Sequence, residues 1–332
     1  MNYTVVIDGV GTSTAQNVLS SLLPRKDYRT IGLDMSEVQA GKFLVDKFVL
    51  CPSAKSDEFI PFLTRLFRSI GGNVLYIPII DYGFAAIAKT DFGDNVIPLI
   101  SPNQTIHLCD DKLEMSAFFE LGSDRPFCLP LDSRSLSLDT CTYPLVTKPR
   151  REGRASLDVC FVKDSTEAKK ALKGLGTNAY YQEVVTGREV TVDVLCSLDG
   201  DFISYVCRER LEVKAGVCHK AYCFKSLRYE HIVKYISKML RFKGPFNAQF
   251  IETVNGDIYL IEINPRFSGG LNLSLATGWD PFVVLHLLTE YAFAKEKPCK
   301  IEALQSMMDR RFKEGYAFKI SHTLFETKGK II

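Results

Sequence analysis

The stretch IYLIEINPRFSGG at 258–270 constrains this chain more than any other. It puts Glu262, Asn264 and Arg266 at every second position, and a β-strand points alternate residues to one face. The run before it, FNAQFIETVNG at 246–256, reads as a second strand ending in an Asn255-Gly256 turn. A two-residue hairpin loop there pairs Val254 with Asp257, so that paired numbers sum to about 511. Gln249 then lies across from Glu262 and Asn247 across from Asn264, with Cβ atoms of cross-strand neighbours roughly 5 Å apart. Three oxygen-bearing side chains, Gln249, Glu262 and Asn264, converge on one point. Such oxygens suit a hard divalent cation, and Arg266 beside them suits phosphate. The pattern points to a magnesium–phosphate platform and to an enzyme that uses ATP.

The rest of the chain supplies a frame for that hairpin. Residues 1–108 alternate short apolar strands (3–8, 30–34, 47–50, 74–79, 96–99) with helical patterns (13–22, 57–70). This alternation predicts a mostly parallel sheet with right-handed crossovers. Residues 103–121 read as helical and close on Gly122, and 123–143 is a Ser/Asp/Pro-rich linker. Strands follow at 145–148 and 157–162 around a polar turn at 149–156, then a helix at 165–173 capped by Asp164 or Ser165. A strand at 179–185 leads to the alternating run 189–197. There Val190, Val192, Val194 and Cys196 face one way, and Glu189, Thr191 and Asp193 the other. A turn at Asp199-Gly200, continued antiparallel sheet at 202–208 and a helix at 228–242 precede the hairpin. A last helix near 280–292 enters a basic tail without a legible motif. The expected units are 1–108, 109–292 and a tail of unknown role at 293–332, in keeping with about two domains for 332 residues.

The bulk numbers exclude several classes. A net charge of +2 gives no reason to expect nucleic acid or an acidic membrane surface as a partner. No apolar run approaches the roughly 20 residues of a membrane span. The first residues read at once as a strand rather than as a signal peptide. Ten scattered Cys without CxxC pairs fit a reducing cytosol, so a cytoplasmic location is expected. Cys218, His219 and Cys223 lack a fourth zinc ligand and read as strand residues.

Other motifs leave two readings open. GVGTST at 9–14 with Asp34 looks like a dinucleotide fingerprint that lacks its third glycine, and a tight strand-to-helix turn is preferred. An NAD-dependent oxidoreductase is the corresponding alternative, and it leaves the 249–266 platform without a purpose. Lys148 ends a strand directly before Pro149, and the turn after it holds Gly153 and Ser156 among Arg150, Arg151 and Arg154. That turn is either a phosphate clamp or a solvated basic loop, and Lys112 in DDK is equally double. Val184 and Val185 in an extended segment could sandwich a purine while Glu189 accepts from ribose hydroxyls. A surface turn at Thr186-Gly187 is the competing reading. Arg208, Arg210, Lys214 and Lys220 crowd into thirteen residues, and an unbroken strand would put Arg208, Arg210 and Lys214 on one face. They suit an anionic substrate, or else a solvated strand edge.

In their order and spacing LVTKPRREGRAS, QEVVTGREVTVDV, FNAQFI and IEINPR resemble the ATP-grasp superfamily, nearest the large chain of carbamoyl phosphate synthetase and its short single-module relatives. The resemblance runs to about residue 290. It implies a mixed α/β and α+β chain. An N-terminal parallel-sheet, Rossmann-like pre-ATP-grasp domain (1–108) is followed by an ATP-grasp fold (109–292). It places Lys112 and Lys148 on the ATP phosphates, Gln182, Glu183 and Val185 on the adenine hinge, and Glu189 on the ribose. Gln249, Glu262 and Asn264 fall on magnesium ligands and Arg266 on the basic residue over the transferring phosphate, so Arg266 and Lys148 are the expected catalytic groups. Arg208, Arg210 and Lys220, with the close-approach glycines Gly269 and Gly270, are expected at the substrate. Gln249 stands where many members carry a carboxylate, and REGRAS is poorer in glycine than the usual phosphate loop. The implied activity is an ADP-forming carboxylate–amine or carboxylate–thiol ligase working through an acyl phosphate, with ATP and Mg2+, or Mn2+ in its place. The implied partners are a small acid and an amine, and exposed helical surfaces would permit a homodimer. A non-catalytic ATP-binding sensor is the remaining alternative.

Overall fold

A computed structural model describes residues 3–25, 28–122, 124–153, 158–214, 216–320, 326–327 and 330–331. The first strands are short and apolar, and the central three are buried on both faces, the pattern of a parallel sheet covered by helices. They are β1 (Thr4–Ile7), β2 (Arg29–Asp34), β3 (Lys47–Leu50), β4 (Val74–Ile77) and β5 (Val96–Pro98). All pair in parallel in the order β3-β2-β1-β4-β5. Helix α1 (Ser13–Leu22) covers the face that carries Val5 and Ile7, and α2 (Phe59–Ile70) the face that carries Val6. The strand order reverses between β1 and β4, which opens a crevice beyond their C-terminal ends. A short helix, α3 (Phe84–Lys89), lies between β4 and β5.

The expected single helix over 103–121 is two, α4 (Asn103–Asp110) and α5 (Lys112–Glu120). Asp111 breaks it with extended backbone (φ −101°, ψ 101°), and its carboxylate caps α5 by accepting from the Leu113 and Glu114 amides. Arg150 and Arg151 also donate to that carboxylate at 2.7 and 2.6 Å, so α5 is tied to the turn after the next strand. These contacts hold the Asp111 carboxyl below its ordinary range despite its burial.

A three-stranded antiparallel sheet follows, with β6 (Leu145–Pro149) between β7 (Cys160–Val162) and β8 (Ala179–Glu183), and α6 (Ser165–Leu175) packed on it. Arg154, Ser156 and the expected start of the second strand at 157 lie outside the described residues.

The largest sheet is antiparallel, with order β13-β12-β9-β10-β11-β14. Its members are β9 (Arg188–Cys196), β10 (Phe202–Lys214), β11 (Val217–Phe224), β12 (Pro245–Glu252), β13 (Ile258–Asn264) and β14 (Gly315–Phe318). Val190, Val192, Val194 and Cys196 pack against α7 (Leu227–Leu240), as their alternation predicts. The opposite face is also covered, by α8 (Leu271–Leu275), α9 (Pro281–Ala294) and α10 (Ile301–Asp309). That layer shares one apolar cluster with α1 and the parallel sheet, so a single core joins the two sheets. The tail corrects the sequence reading. Leu304 and Met308 of α10 are buried, and β14 pairs with β11 and extends the sheet. Glu326–Thr327 and Lys330–Ile331 form a small separate pairing.

The hairpin β12–β13 keeps the predicted Gln249–Glu262 and Asn247–Asn264 pairs, by a different route. Its loop is one residue longer than predicted: Thr253 N donates to Asp257 O, Gly256 N donates to Thr253 O, and Gly256 sits at φ 86°. Pairs near the loop therefore sum to 510, as Glu252↔Ile258 does. A bulge between Gln249 and Phe250 gives the residue back, and beyond it the pairs sum to 511. Among the described residues no helix is long and apolar enough to cross a membrane. All ten cysteines are free thiols.

Candidate active site

Two cavities meet over the hairpin. One, of about 400 Å³, lies between the three-stranded sheet and the largest sheet, and the other, of about 320 Å³, between the largest sheet and the N-terminal sheet. Gly153, Arg210, Gln249 and Glu262 line both.

The first cavity has an apolar slot, formed by Val146, Phe161, Val185 and Ile251, with cations at one end. Gln182 is buried on β8 opposite Val146, and Val185 follows in the extended segment that leaves the sheet. The Glu183 carboxylate accepts from the Leu131 amide at 2.8 Å, so it anchors the linker. Gly187 is forced by the close approach of the hairpin strand that ends at Glu252, since a Cβ there would lie 2.1 Å from the Glu252 carbonyl oxygen. Glu189 is half exposed at the cavity rim and pairs with Arg210 at 3.3 Å.

Lys112 and Lys148 both line this cavity. Lys112 is the first residue of α5, and the Asp111 break turns it inward. Lys148 is 7% exposed, with its ammonium over the Tyr180 ring. Burial, with the Lys112 charge adding to it, pulls Lys148 down to about 7, and Glu262 pulls weakly the other way. A cation held in so unfavourable a state is well suited to a polyanionic ligand.

The second cavity has Gln249, Glu262, Asn264 and Arg266 along one wall. Gln249 Oε1 accepts from Arg210 at 3.3 Å, and Glu262 carries no hydrogen bond or ion pair among the described residues. Three oxygen donors with a single negative charge fit one hard cation. Among the described residues no group of three His, Cys, Asp or Glu could hold a metal, which leaves Cys218, His219 and Cys223 as strand residues.

Three groups to which the sequence reading gave no role in the site complete it. Asp81, just past the first sheet, grips Arg266 with both oxygens, at 2.7 and 3.1 Å. Arg266 is thereby held across the gap between the N-terminal sheet and the hairpin. Asn247, 2% exposed, donates to the Arg266 carbonyl at 2.9 Å and braces the same turn. Asp193, on the face of β9 opposite Val190 and Val192, is 3% exposed and binds Arg208 at 2.8 Å and the Ser274 hydroxyl. The alternation of EVTVDV was right, but both faces of β9 are covered. No local signal marks Asp81, because its partner is 185 residues away.

The predicted cationic strand face is only half present. Arg208 is 2% exposed under the second cavity and Arg210 reaches the junction of the two. Bulges between Arg210 and Val213 break the alternation of β10. Lys214 and Lys220 instead pair with Glu212, at 2.7 and 2.5 Å, and line neither cavity. Lys220 is therefore withdrawn from the substrate set. Gly269 and Gly270 do line the second cavity. So do Thr12, Ser13 and Thr14 of the GVGTST turn. At that turn Gly11 N donates to Asp34 at 2.9 Å, and the Gln39 side chain lies directly over Gly11.

Residues 180–307 match a family described as ATP-grasp in the biosynthetic pathway with Ter operon. N5-carboxyaminoimidazole synthetase from Staphylococcus aureus, solved with ADP, superposes with a TM-score of 0.68 at 16% identity, over 89% of this chain and 78% of that one. The chain has the ATP-grasp fold. Similar ATP-grasp architecture is found in L-amino acid ligase from Bacillus licheniformis (TM-score 0.66, 16% identity, 95% of this chain and 78% of that one). The biotin carboxylase domain of Hydrogenobacter thermophilus 2-oxoglutarate carboxylase, solved with MgADP, ADP and bicarbonate, gives 0.67 at 14% identity, over 94% of this chain and 73% of that one. The narrower likeness of this ATP-grasp protein to carbamoyl phosphate synthetase rests on its sequence motifs alone.

Proposed function

We propose that this ATP-grasp protein is an ADP-forming ligase that joins a small carboxylic acid to an amine or a thiol. The observation that carries the reading is the meeting of the two cavities at Gln249 and Glu262. One cavity has the apolar slot and buried lysines that suit a nucleotide, and the other has the arginines that suit an acid. Solved ligases of the same fold, named for a carboxyaminoimidazole and for L-amino acids, support it.

A carboxylate is a poor acylating agent because its leaving group would be an oxide. Attack of the acid oxygen on the γ-phosphorus forms a C–O–P bond and breaks the bond to ADP. The amine then attacks the acyl carbon, phosphate leaves, and the ammonium proton passes to solvent. In this reading the protein positions and neutralises charge. Lys112 and Lys148 hold the phosphates, Gln182, Glu183 backbone and Val185 the base, and Glu189 the ribose. Arg266 stabilises the oxygens of the transferring phosphoryl group, with Asp81 and Asn247 fixing its direction. Magnesium, held by Gln249, Glu262 and Asn264, would offset phosphate charge. Arg210 faces the acid from the junction of the cavities.

The test is ADP release on mixing ATP with panels of acids and amines, amino acids first. The reading expects release that depends on both. Release on ATP alone, or nucleotide binding without release under any pair, would favour the sensor. Arg210→Ala should raise the concentration of acid needed far more than that of ATP, and equal effects would remove Arg210 from the acid site.

A further inference from the structure

A third cavity, of about 410 Å³, lies over the C-terminal ends of the parallel sheet and takes no part in the ligase reading. It is bounded by the turns after β1, β2, β3 and β4, which is where open α/β sheets take up ligands. Its volume falls in the range of about 300–1,000 Å³ usual for small-molecule sites. Among the described residues it shares only Thr12 and Ile80 with the second cavity and none with the first. Its walls are mainly apolar, with Met35, Pro52, Ala54, Phe59, Ile80 and Tyr82 lining it. Met35 is 70% exposed at the rim, a flexible apolar side chain turned to water. The Gln39 side-chain amide also lines the cavity and hydrogen-bonds to none of the described residues.

Charge is unevenly spread along this cavity. Its two carboxylates are already satisfied: Asp8 accepts from the Tyr76 hydroxyl and the Ile79 and Ile80 amides, and Asp34 from the Gly11 and Ser36 amides. Burial, with the Asp8 and Asp34 charges adding to it, pushes the Cys51 thiol up to about 12, so that side of the cavity disfavours an anion. Lys55 supplies the opposite sign. It belongs to the turn after β3, yet its ammonium lies 3.6 Å from the centre of the Tyr82 ring, beyond β4. With the sheet order β3-β2-β1-β4, the turn that carries Lys55 crosses over the cavity. Its ion partner is Glu152, at 3.4 Å, and both side chains are more than half exposed. An ammonium has three donors, and so exposed a pair is weak enough to yield to a better-placed anion.

An apolar cavity of this size with one loosely paired cation suits a small organic anion: burial of the apolar part supplies affinity and the ammonium supplies direction. We propose that the third cavity is a second ligand site, for a molecule with an aromatic or branched apolar body and a single carboxylate. The body lies among Met35, Ala54 and Phe59, and the carboxylate takes the Lys55 ammonium from Glu152. The Gln39 amide is placed to meet a polar group on the body. Asp8 and Asp34 disfavour a ligand of higher negative charge, which separates this occupant from a nucleotide. The site stands apart from the ligase reading and does not depend on it.

The test is calorimetric titration of the full chain with 3-phenylpropanoate and, separately, with the neutral 3-phenylpropanamide. The expected result is saturable binding of the acid, several-fold tighter than that of the amide. Lys55→Gln should weaken the acid about fivefold and leave the amide unchanged. Glu152→Gln, which removes the competitor for the ammonium, should tighten the acid about threefold. Ala54→Leu should weaken both ligands by filling the cavity. Lys55 and Glu152 are exposed, so their two variants carry the test if Ala54→Leu does not fold. Arg210→Ala should leave the Lys55-dependent binding as it is. Absence of saturable binding, or binding that Lys55→Gln leaves unchanged, overturns the proposal, and a loss in Arg210→Ala in its place assigns the acid to the active site. ADP release is measured apart from all of these, so the ligase reading stands or falls on its own test.

Discussion

Nucleotide binding should draw a proton onto Lys148. In the free protein this lysine sits near 7 because it is buried and faces Lys112, with Glu262 favouring its charge more weakly. A triphosphate beside it favours the ammonium and moves it back up, by at least about two units for a contact ion pair in a closed cavity. At pH 8 the free lysine is charged in about one molecule in ten, and in the complex, where it titrates at about 9 or above, in about nine in ten or more. Binding therefore takes up about 0.8 proton at pH 8, where terminal phosphate ionisation, with its midpoint near 6, is already complete. The sign follows for affinity: it is flat below about 7 and falls up to tenfold per pH unit above it, until the bound-state value is reached. Calorimetry in two buffers of different ionisation enthalpy measures the uptake directly. Lys148→Met should abolish it and weaken nucleotide binding at pH 7. The same variant should stabilise the nucleotide-free protein. The folded value is depressed from 10.5, so the unfolded chain binds more protons between about 7 and 10.5 and wild-type stability rises with pH across that window. Below it the cost of the buried charge reaches up to about 5 kcal/mol. Uptake near zero at pH 8, or equal uptake in Lys148→Met, would refute the reasoning.

Glu262→Ala removes the only carboxylate from the proposed cation set, and ADP release should fall at least about hundredfold while the thermal midpoint holds; full turnover in that variant would defeat the assignment. Asp8 lies beyond β1, where burial pushes its carboxyl up to about 6 against hydrogen bonds from Tyr76, Ile79 and Ile80. The folded state therefore holds the proton more tightly between about 4 and 6, and this group lowers stability as pH rises through that window. Asp8→Asn keeps an oxygen for the two amides and should stabilise the protein at pH 7.5 by up to about 3 kcal/mol, with less gain at pH 4, read from urea midpoints at the two pH values. Gly187→Ala places a methyl group against the Glu252 carbonyl and should cost about 2–3 kcal/mol, since backbone and not a flexible side chain must move; an unchanged urea midpoint would show that the hinge relaxes freely.

Much of the site is legible from the chain because it is built from short-range order. The hairpin brings Gln249 to Glu262 through a turn a few residues away, and period-two alternation does the rest. Even so, the predicted register was reached through a loop of the wrong length and a bulge, two unforeseen shifts of opposite sign. The bulges of β10 had no such partner, and there alternation misplaced Lys214. The helix break at Asp111 was open to view in DDK, a capping residue inside a helical pattern, but its reason, the two arginines of the turn after β6, lies about forty residues on.

By itself the sequence determined the alternation of β9 and the cross-strand pairs of the β12–β13 hairpin, and hence the local set Gln249, Glu262, Asn264 and Arg266. These depend on backbone geometry and on neighbours along one hairpin. Tertiary structure alone decided that Asp81 holds Arg266, that Asp193 is buried beneath Arg208, and that the opening turn of α1 faces the same cavity. Those contacts arise where one apolar core packs the parallel sheet against the far face of the largest sheet, and no periodicity in a single strand records what will lie across such a boundary.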